Sequence, residues 1–135
     1  MIIDGANCIL GRVATFTVKK ALSGESIDII NAEQMIITGN PKAVIANYRK
    51  IFFDIKDVAQ PVHSPHVSKR PDLFVKRSIR GMLPRKRTRG IEAFKRIRAY
   101  IGDNGMKGEK ICEHKNPDAR YITILDLCKA MGWKG

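Results

Sequence analysis

Short runs of β-branched residues alternate with amphipathic stretches through the first third of the chain, and no other feature narrows the fold as much. Met1 to Ile3 reads as a short strand, Gly5 to Leu10 as a turn, Gly11 to Leu22 as a helix, and Ile27 to Ile30 and Met35 to Thr38 as two further strands. Strand, helix, strand is the order of βαβ units, which build parallel sheets. The strands are rich in Ile and poor in charge, as strands buried on both faces are. In the helix, Val13, Ala14, Thr17, Val18, Ala21 and Leu22, extended by Phe16, cover more of the wheel than a surface helix needs. That helix is expected to pack on two sides, and Ser23-Gly24 ends it.

Gly39-Asn40-Pro41 opens a second helix, with Asn40 as N-cap and Pro41 at the first helical position. Val44, Tyr48, Ile51 and Phe52 give it one core face. Pro61, Pro65 and Pro71 break either period between Asp57 and Asp72, so an extended loop is expected there. Two basic helices follow. Val75, Ile79 and Met82 form the apolar face of the first, which Gly81 and Pro84 stop. Ile91, Phe94 and Ile97 form that of the second, which starts near Thr88. Arg98 would fall inside that arc, so this helix should end by about Ile97, leaving Ala99 to Ile101 as a final strand. Gly102, Gly105 and Gly108 form a flexible loop. Thr123 to Met131 is the last helix, with Thr123 and Asp126 spaced as a capping box, Gly132 as its stop, and Ile124, Leu127, Cys128 and Met131 facing inward. At 135 residues and 44% hydrophobic composition, with no internal repeat, residues 1–135 are expected to be a single domain with an ordinary core.

Charge divides the chain differently. The formal net charge is +12, and +10 of it lies between Lys69 and Arg98. The remainder is nearly neutral. A short run of bases is usually a solvated face. Here the bases crowd two adjacent helices and the elbow from Gly81 to Gly90, where mutual repulsion is relieved by a polyanion. Arginine predominates from Arg70 to Arg89, and its planar fork pairs bidentately with phosphate and stacks on bases. Nucleic acid is therefore the expected partner, recognised by backbone and shape, since the segment has neither a helix-turn-helix pattern nor exposed stacking aromatics.

Other chemistry is weakly encoded. The turn from Gly5 to Arg12 is neither GxGxxG nor a P-loop, and reads as a tight turn in which Gly11 lets helix and strand approach. His63, His66, Cys112 and His114 have no familiar zinc spacing, and Cys112 with His114 has no triad around it. Asp54 and Asp57 read as solvated carboxylates. Gly105-Met106-Lys107-Gly108 imitates a KH-domain loop without its flanks. Cys8, Cys112 and Cys128 are an odd number without a CxxC pair, which suits a reducing compartment. No stretch reaches the roughly 18 apolar residues of a membrane span, and Asp4 stands where a signal peptide carries positive charge. A cytoplasmic chain with no cofactor, metal, membrane or small-molecule substrate is expected.

Several of these residues carry a resemblance. Asp4 with Leu10-Gly11-Arg12-Val13-Ala14, Asn31-Ala32-Glu33 with Thr38-Gly39, and above all Arg80-Gly81-Met82-Leu83-Pro84 followed by Tyr100-Ile101-Gly102 resemble the large-subunit ribosomal protein L-thirteen family over essentially the whole chain. The Arg85 to Arg89 turn and the run from Lys95 to Gly102 look like its archaeal and eukaryotic branch. Gly102-Asp103-Asn104-Gly105 replaces the His-x-His patch usual in bacterial members, so contacts at that patch do not carry over. The resemblance implies a three-layer α/β/α sandwich on a four-stranded, mostly parallel sheet, with the basic helix-elbow-helix and a C-terminal helix. It implies a structural, non-enzymatic constituent of the large subunit that binds large-subunit rRNA, lies beside neighbouring ribosomal proteins and supports assembly and translation.

The residues expected to bind RNA are Arg77, Arg80, Arg85, Lys86, Arg87 and Arg89, then Lys69, Arg70, Lys76 and Arg96, then Arg12, with Gly81 and Pro84 shaping the elbow. Two other readings make distinct predictions. A nucleotide-dependent enzyme would bind a mononucleotide saturably at the Gly5 to Arg12 turn, insensitive to moderate salt, and a non-specific DNA-coating protein would bind duplex DNA as well as rRNA fragments at matched salt.

Overall fold

Three parallel strands form the centre of the fold in the computed structural model, which describes residues 1–54, 67–114 and 119–135. Strand β1 (Ile2–Asp4) pairs with β2 (Ile27–Ile30), and β2 pairs on its other side with β4 (Ile97–Ala99). Ile3 stands opposite Ile29 and Ile27 opposite Ile97, and all four side chains are buried. Helix α1 (Leu10–Leu22) makes the crossover from β1 to β2, and its Val13, Ala14, Thr17, Val18 and Ala21 are inaccessible or nearly so. It packs on two sides as expected, against α3 (Pro71–Met82) and α4 (Thr88–Lys95) as well as the strands.

The sheet expected to have four strands has three. Strand β3 (Ile36–Thr38) pairs antiparallel with β5 (Tyr121–Thr123), which the sequence reading missed, in a second sheet. The link from β2 explains this. Asn31 adopts a left-handed conformation, φ 53°, and a 3₁₀ turn over Ala32–Gln34 redirects the chain at once. A parallel crossover needs about a dozen residues or more. Ile36 still donates its N–H to the Cys8 carbonyl at 3.0 Å, which ties the small sheet to the start of α1. The open edge of β1 is covered by Glu109, which bonds to Ile2 and Asp4 in strand fashion. A Cβ on Gly108 would stand 2.6 Å from the Asp4 nitrogen, so only glycine lets that segment lie so close.

Four local expectations shift. Helix α2 (Pro41–Arg49) starts at the predicted cap, where the Asn40 side chain accepts from the Lys42 N–H at 3.1 Å. A π-helical turn, Lys50–Asp54, then widens the spiral, so Ile51 points to solvent while Val44, Tyr48 and Phe52 keep the core face. In α3 the buried arc is Phe74, Val75 and Ile79. Met82 lies 47% exposed, and the extended Leu83 enters the core instead. Helix α4 buries its small residues Gly90 and Ala93 and leaves Ile91 outside. It ends at Lys95, so Ile97 opens β4 and the strand begins earlier than Ala99. Helix α5 (Ile124–Ala130) matches its reading. Thr123 accepts from the Asp126 N–H at 3.1 Å, and Ile124, Leu127, Cys128 and Met131 are buried. The expected proline loop, apart from residues 67–72, lies outside the described residues, with His63, His66 and Asp57 in it.

Candidate nucleic-acid interface

Helices α3 and α4 rest on α1, and the elbow between them is built from its apolar members upward. Leu83 is buried as an anchor. Arg85 donates its N–H to the Leu83 carbonyl at 2.8 Å and Arg87 to the Pro84 carbonyl at 3.1 Å. Pro84 lies so close over Gly90 that any Cβ there would meet the Pro84 carbonyl. The elbow's shape thus rests on Pro84 and Gly90. Gly81, expected to share that role, has a helical φ and open space around it.

That turn pushes Arg85, Lys86 and Arg87 outward. All three are exposed, and among the described residues none has a carboxylate partner. Arg77 is exposed and Arg80 half-buried on α3, likewise outside the ion pairs found there. Five cations are therefore presented along α3 and the elbow that follows it.

The remaining candidates, Arg12 apart, have work inside the protein. Arg70 grips Asp72 through two bonds of 3.2 and 2.9 Å. Arg89 donates to the Leu22 carbonyl at 3.3 Å and Arg96 to the Ala21 carbonyl at 3.5 Å, so both cap the carbonyl end of α1. Arg96 also lies 3.9 Å from Glu92. Lys69 and Lys76 hold their ammonium groups over the rings of Phe53 and Phe94, at 5.4 and 5.2 Å. Arg12 stands exposed at the start of α1, one turn before Thr15, whose hydroxyl is 4.0 Å from Met82 Sδ. Between α3 and α4 lies a groove the sequence reading did not foresee, lined by Ser68, Leu73, Lys76, Arg77, Arg80 and Phe94. Phe94 reads as core by period. Leu73 carried the only signal, since it is an apolar residue off the Val75–Ile79 arc.

Most of the N–H groups a phosphate cradle would use before α1 are bonded inside the protein. The N–H groups of Ala6, Asn7, Cys8 and Ile9 are bonded to Asp4, Gln34, Gly5 and Cys112 within the chain, so these four are not turned to an anion. Its tight residue is Gly5, where a Cβ would stand 2.8 Å from Met35 Cγ, and Gly11 has open space around it. Among the described residues no three His, Cys, Asp or Glu side chains gather to hold a metal, and no helix is long and apolar enough to cross a membrane.

Of the motif residues outside the elbow, Asp4, Asn31 to Glu33 and Tyr100 to Gly102 meet at the carboxyl ends of the parallel strands. Asp4 accepts from the Asn31 side chain at 2.9 Å, Asn31 and Ala32 donate to the carbonyls of Gly102 and Tyr100, and Glu33 accepts from the Gly102 N–H at 3.1 Å. Open α/β sheets bind ligands at this end. Here its polar groups bind one another and lock β1, β2 and β4 together.

Fold and site define a small basic α/β scaffold whose outward chemistry is a rigid cationic corner. Residues 1–105 match the family model described as ribosomal protein L13. Proteins named large ribosomal subunit protein uL13 are similar over nearly the whole chain. That of Methanocaldococcus jannaschii is 43% identical over 98% of this chain and 98% of its own length. That of Natronomonas pharaonis is 47% identical over 98% and 90%, and that of Methanococcus maripaludis 35% over 99% and 98%. The chain belongs to the ribosomal protein L13 family, a family of structural ribosomal proteins and not of enzymes.

Proposed function

We propose that the protein is a structural constituent of the large ribosomal subunit, in the cytoplasm, and that residues 1–135 act there as one unit. It binds large-subunit rRNA through α3, the elbow and α4, lies beside neighbouring large-subunit proteins, and supports subunit assembly and translation. The observation that carries this reading is the set of exposed Arg85, Lys86 and Arg87, without a carboxylate partner among the described residues, on a turn clamped by Pro84 and Gly90. Holding like charges together in the free protein costs energy that phosphate contacts recover through counterion release. Arg77 and Arg80 extend the contact along α3. Lys69 and Lys76 can swing from their rings to phosphates, and Arg12 reaches RNA at the margin. Arg70, Arg89 and Arg96 add charge while holding their internal partners.

The test replaces Arg85, Lys86 and Arg87 together by Ser. If each meets a phosphate, the slope of log affinity for large-subunit rRNA against log salt falls in magnitude by about 2 to 3, and the variant washes off large subunits at lower salt. Its unfolding midpoint does not fall below that of the parent, since removing like charges relieves repulsion. An unchanged slope with unchanged incorporation into subunits would remove the elbow from the interface.

A further inference from the structure

The groove between α3 and α4 has a composition that phosphate binding alone leaves unexplained. Leu73 is 41% exposed, and Phe94 is only partly covered by the core. These two give the groove an apolar floor inside the most basic part of the molecule, and Ser68, Lys76, Arg77 and Arg80 complete its lining. A continuous duplex backbone is polar and pairs only with the cations of that lining. It would leave the floor against water or against phosphate oxygens, neither of which gains from it.

We propose that this groove takes one unstacked nucleotide of RNA, an inference that rests on the RNA-binding reading above. The base lies on the Leu73 and Phe94 floor, and its flanking phosphates meet Arg77 and Arg80. An unpaired nucleotide is the occupant that is apolar on its faces and anionic at both ends, so its charge and its surface both complement the site. Lys76 fits the same scheme. Its ammonium caps the Phe94 ring at 5.2 Å in the free protein, and four rotatable bonds let it give up the ring to the base and turn to a phosphate. Both helices that carry the floor are anchored in the core, α3 through the buried Phe74 and Val75 and α4 through the buried Ala93. The floor's shape therefore exists before RNA arrives.

The experiment compares the full chain on two short RNA duplexes of the same sequence, one fully paired and one with a single bulged adenosine, at matched salt. The bulged duplex should bind about tenfold more tightly, in the range of one stacked base. Phe94→Leu, which keeps apolar volume without the aromatic face, should reduce that preference to within about twofold while paired-duplex affinity stays unchanged. Leu73→Ser, at an exposed position that the core does not need, provides the second variant if Phe94→Leu folds poorly, and it should lower the preference as well. Equal binding of both duplexes by the parent chain overturns the pocket and leaves the basic face standing. Binding of neither duplex overturns the RNA reading and the pocket with it. An acidic peptide carrying one tryptophan serves as the competitor. If it binds in a Phe94-dependent way and neither RNA displaces it, the occupant is a protein segment and the proposal fails.

Discussion

At Gly90 a hydrogen atom is the largest side chain the elbow accepts, because the Pro84 carbonyl occupies the place of a Cβ. Gly90→Ala should lower stability by about 1 to 3 kcal/mol, as overpacking against backbone does, and should loosen the elbow. Gly81→Ala should act oppositely, adding about 0.4 to 1 kcal/mol, since Gly81 lies in a helix with room for a methyl group. Urea unfolding of the two variants checks the contrast. Cys128 yields a prediction in pH. Burial first, and the charge of Asp72 second, push its thiol from 9.0 up to about 11. A raised folded pKa favours the protonated native state, so this stabilisation is complete below pH 9 and is lost as pH rises from 9 towards 11. The loss amounts to about 1.4 kcal/mol per pH unit in that window. Tyr48, raised from 10.0 by burial, adds to it above pH 10. Cys128→Ala should flatten the alkaline decline measured by urea unfolding between pH 9 and 11.

At the scale of elements, the polar bonds at the strand ends are structural, and the proposed binding work falls to the elbow. The carboxyl ends of β1, β2 and β4 are joined by the Asp4, Asn31, Glu33 and Gly102 bonds. Asp4→Ala should therefore cost about 2 kcal/mol, given that hydrogen bonds to a charged acceptor contribute about 1.5 to 3. The salt slope of rRNA binding should not move, because Asp4 is remote from the cationic corner in role. A changed slope with unchanged stability would reverse that division. The alternation of strands and helices was legible because each element must bury one face, and the period of its apolar residues records which. Strand β5 was not. Three residues, Tyr121–Thr123, next to a helix cap carry too short a pattern to register. Ile91 and Met82 misled for a related reason, since small residues such as Gly90 and Ala93 bring helices closer than bulky ones and leave little trace in a hydrophobic pattern.

The whole molecule is a nearly neutral scaffold with one segment of +10 within a total of +12. Self-repulsion in that segment destabilises the free protein, and salt screens it. Raising sodium chloride from about 50 to about 500 mM shortens the screening length from roughly 14 to roughly 4 Å. The thermal midpoint of the isolated protein should rise by several degrees, and the Arg85, Lys86 and Arg87 triple serine variant should gain less. Equal gains would show that the corner does not store the repulsion.

By itself the sequence determined that the chain is α/β, where the first three strands and α1, α2 and α5 lie, and that the net positive charge is concentrated in residues 69–98, because periodicity and charge density are local properties. Tertiary structure decided the rest. It chose β5 as the partner of β3 and Gly90 as the tight glycine. It also separated the free cations from those clamped to α1, as Arg89 is to Leu22. Each of these outcomes depends on a contact between residues far apart in the chain, and no local pattern records what a distant carbonyl, carboxylate or strand edge will offer.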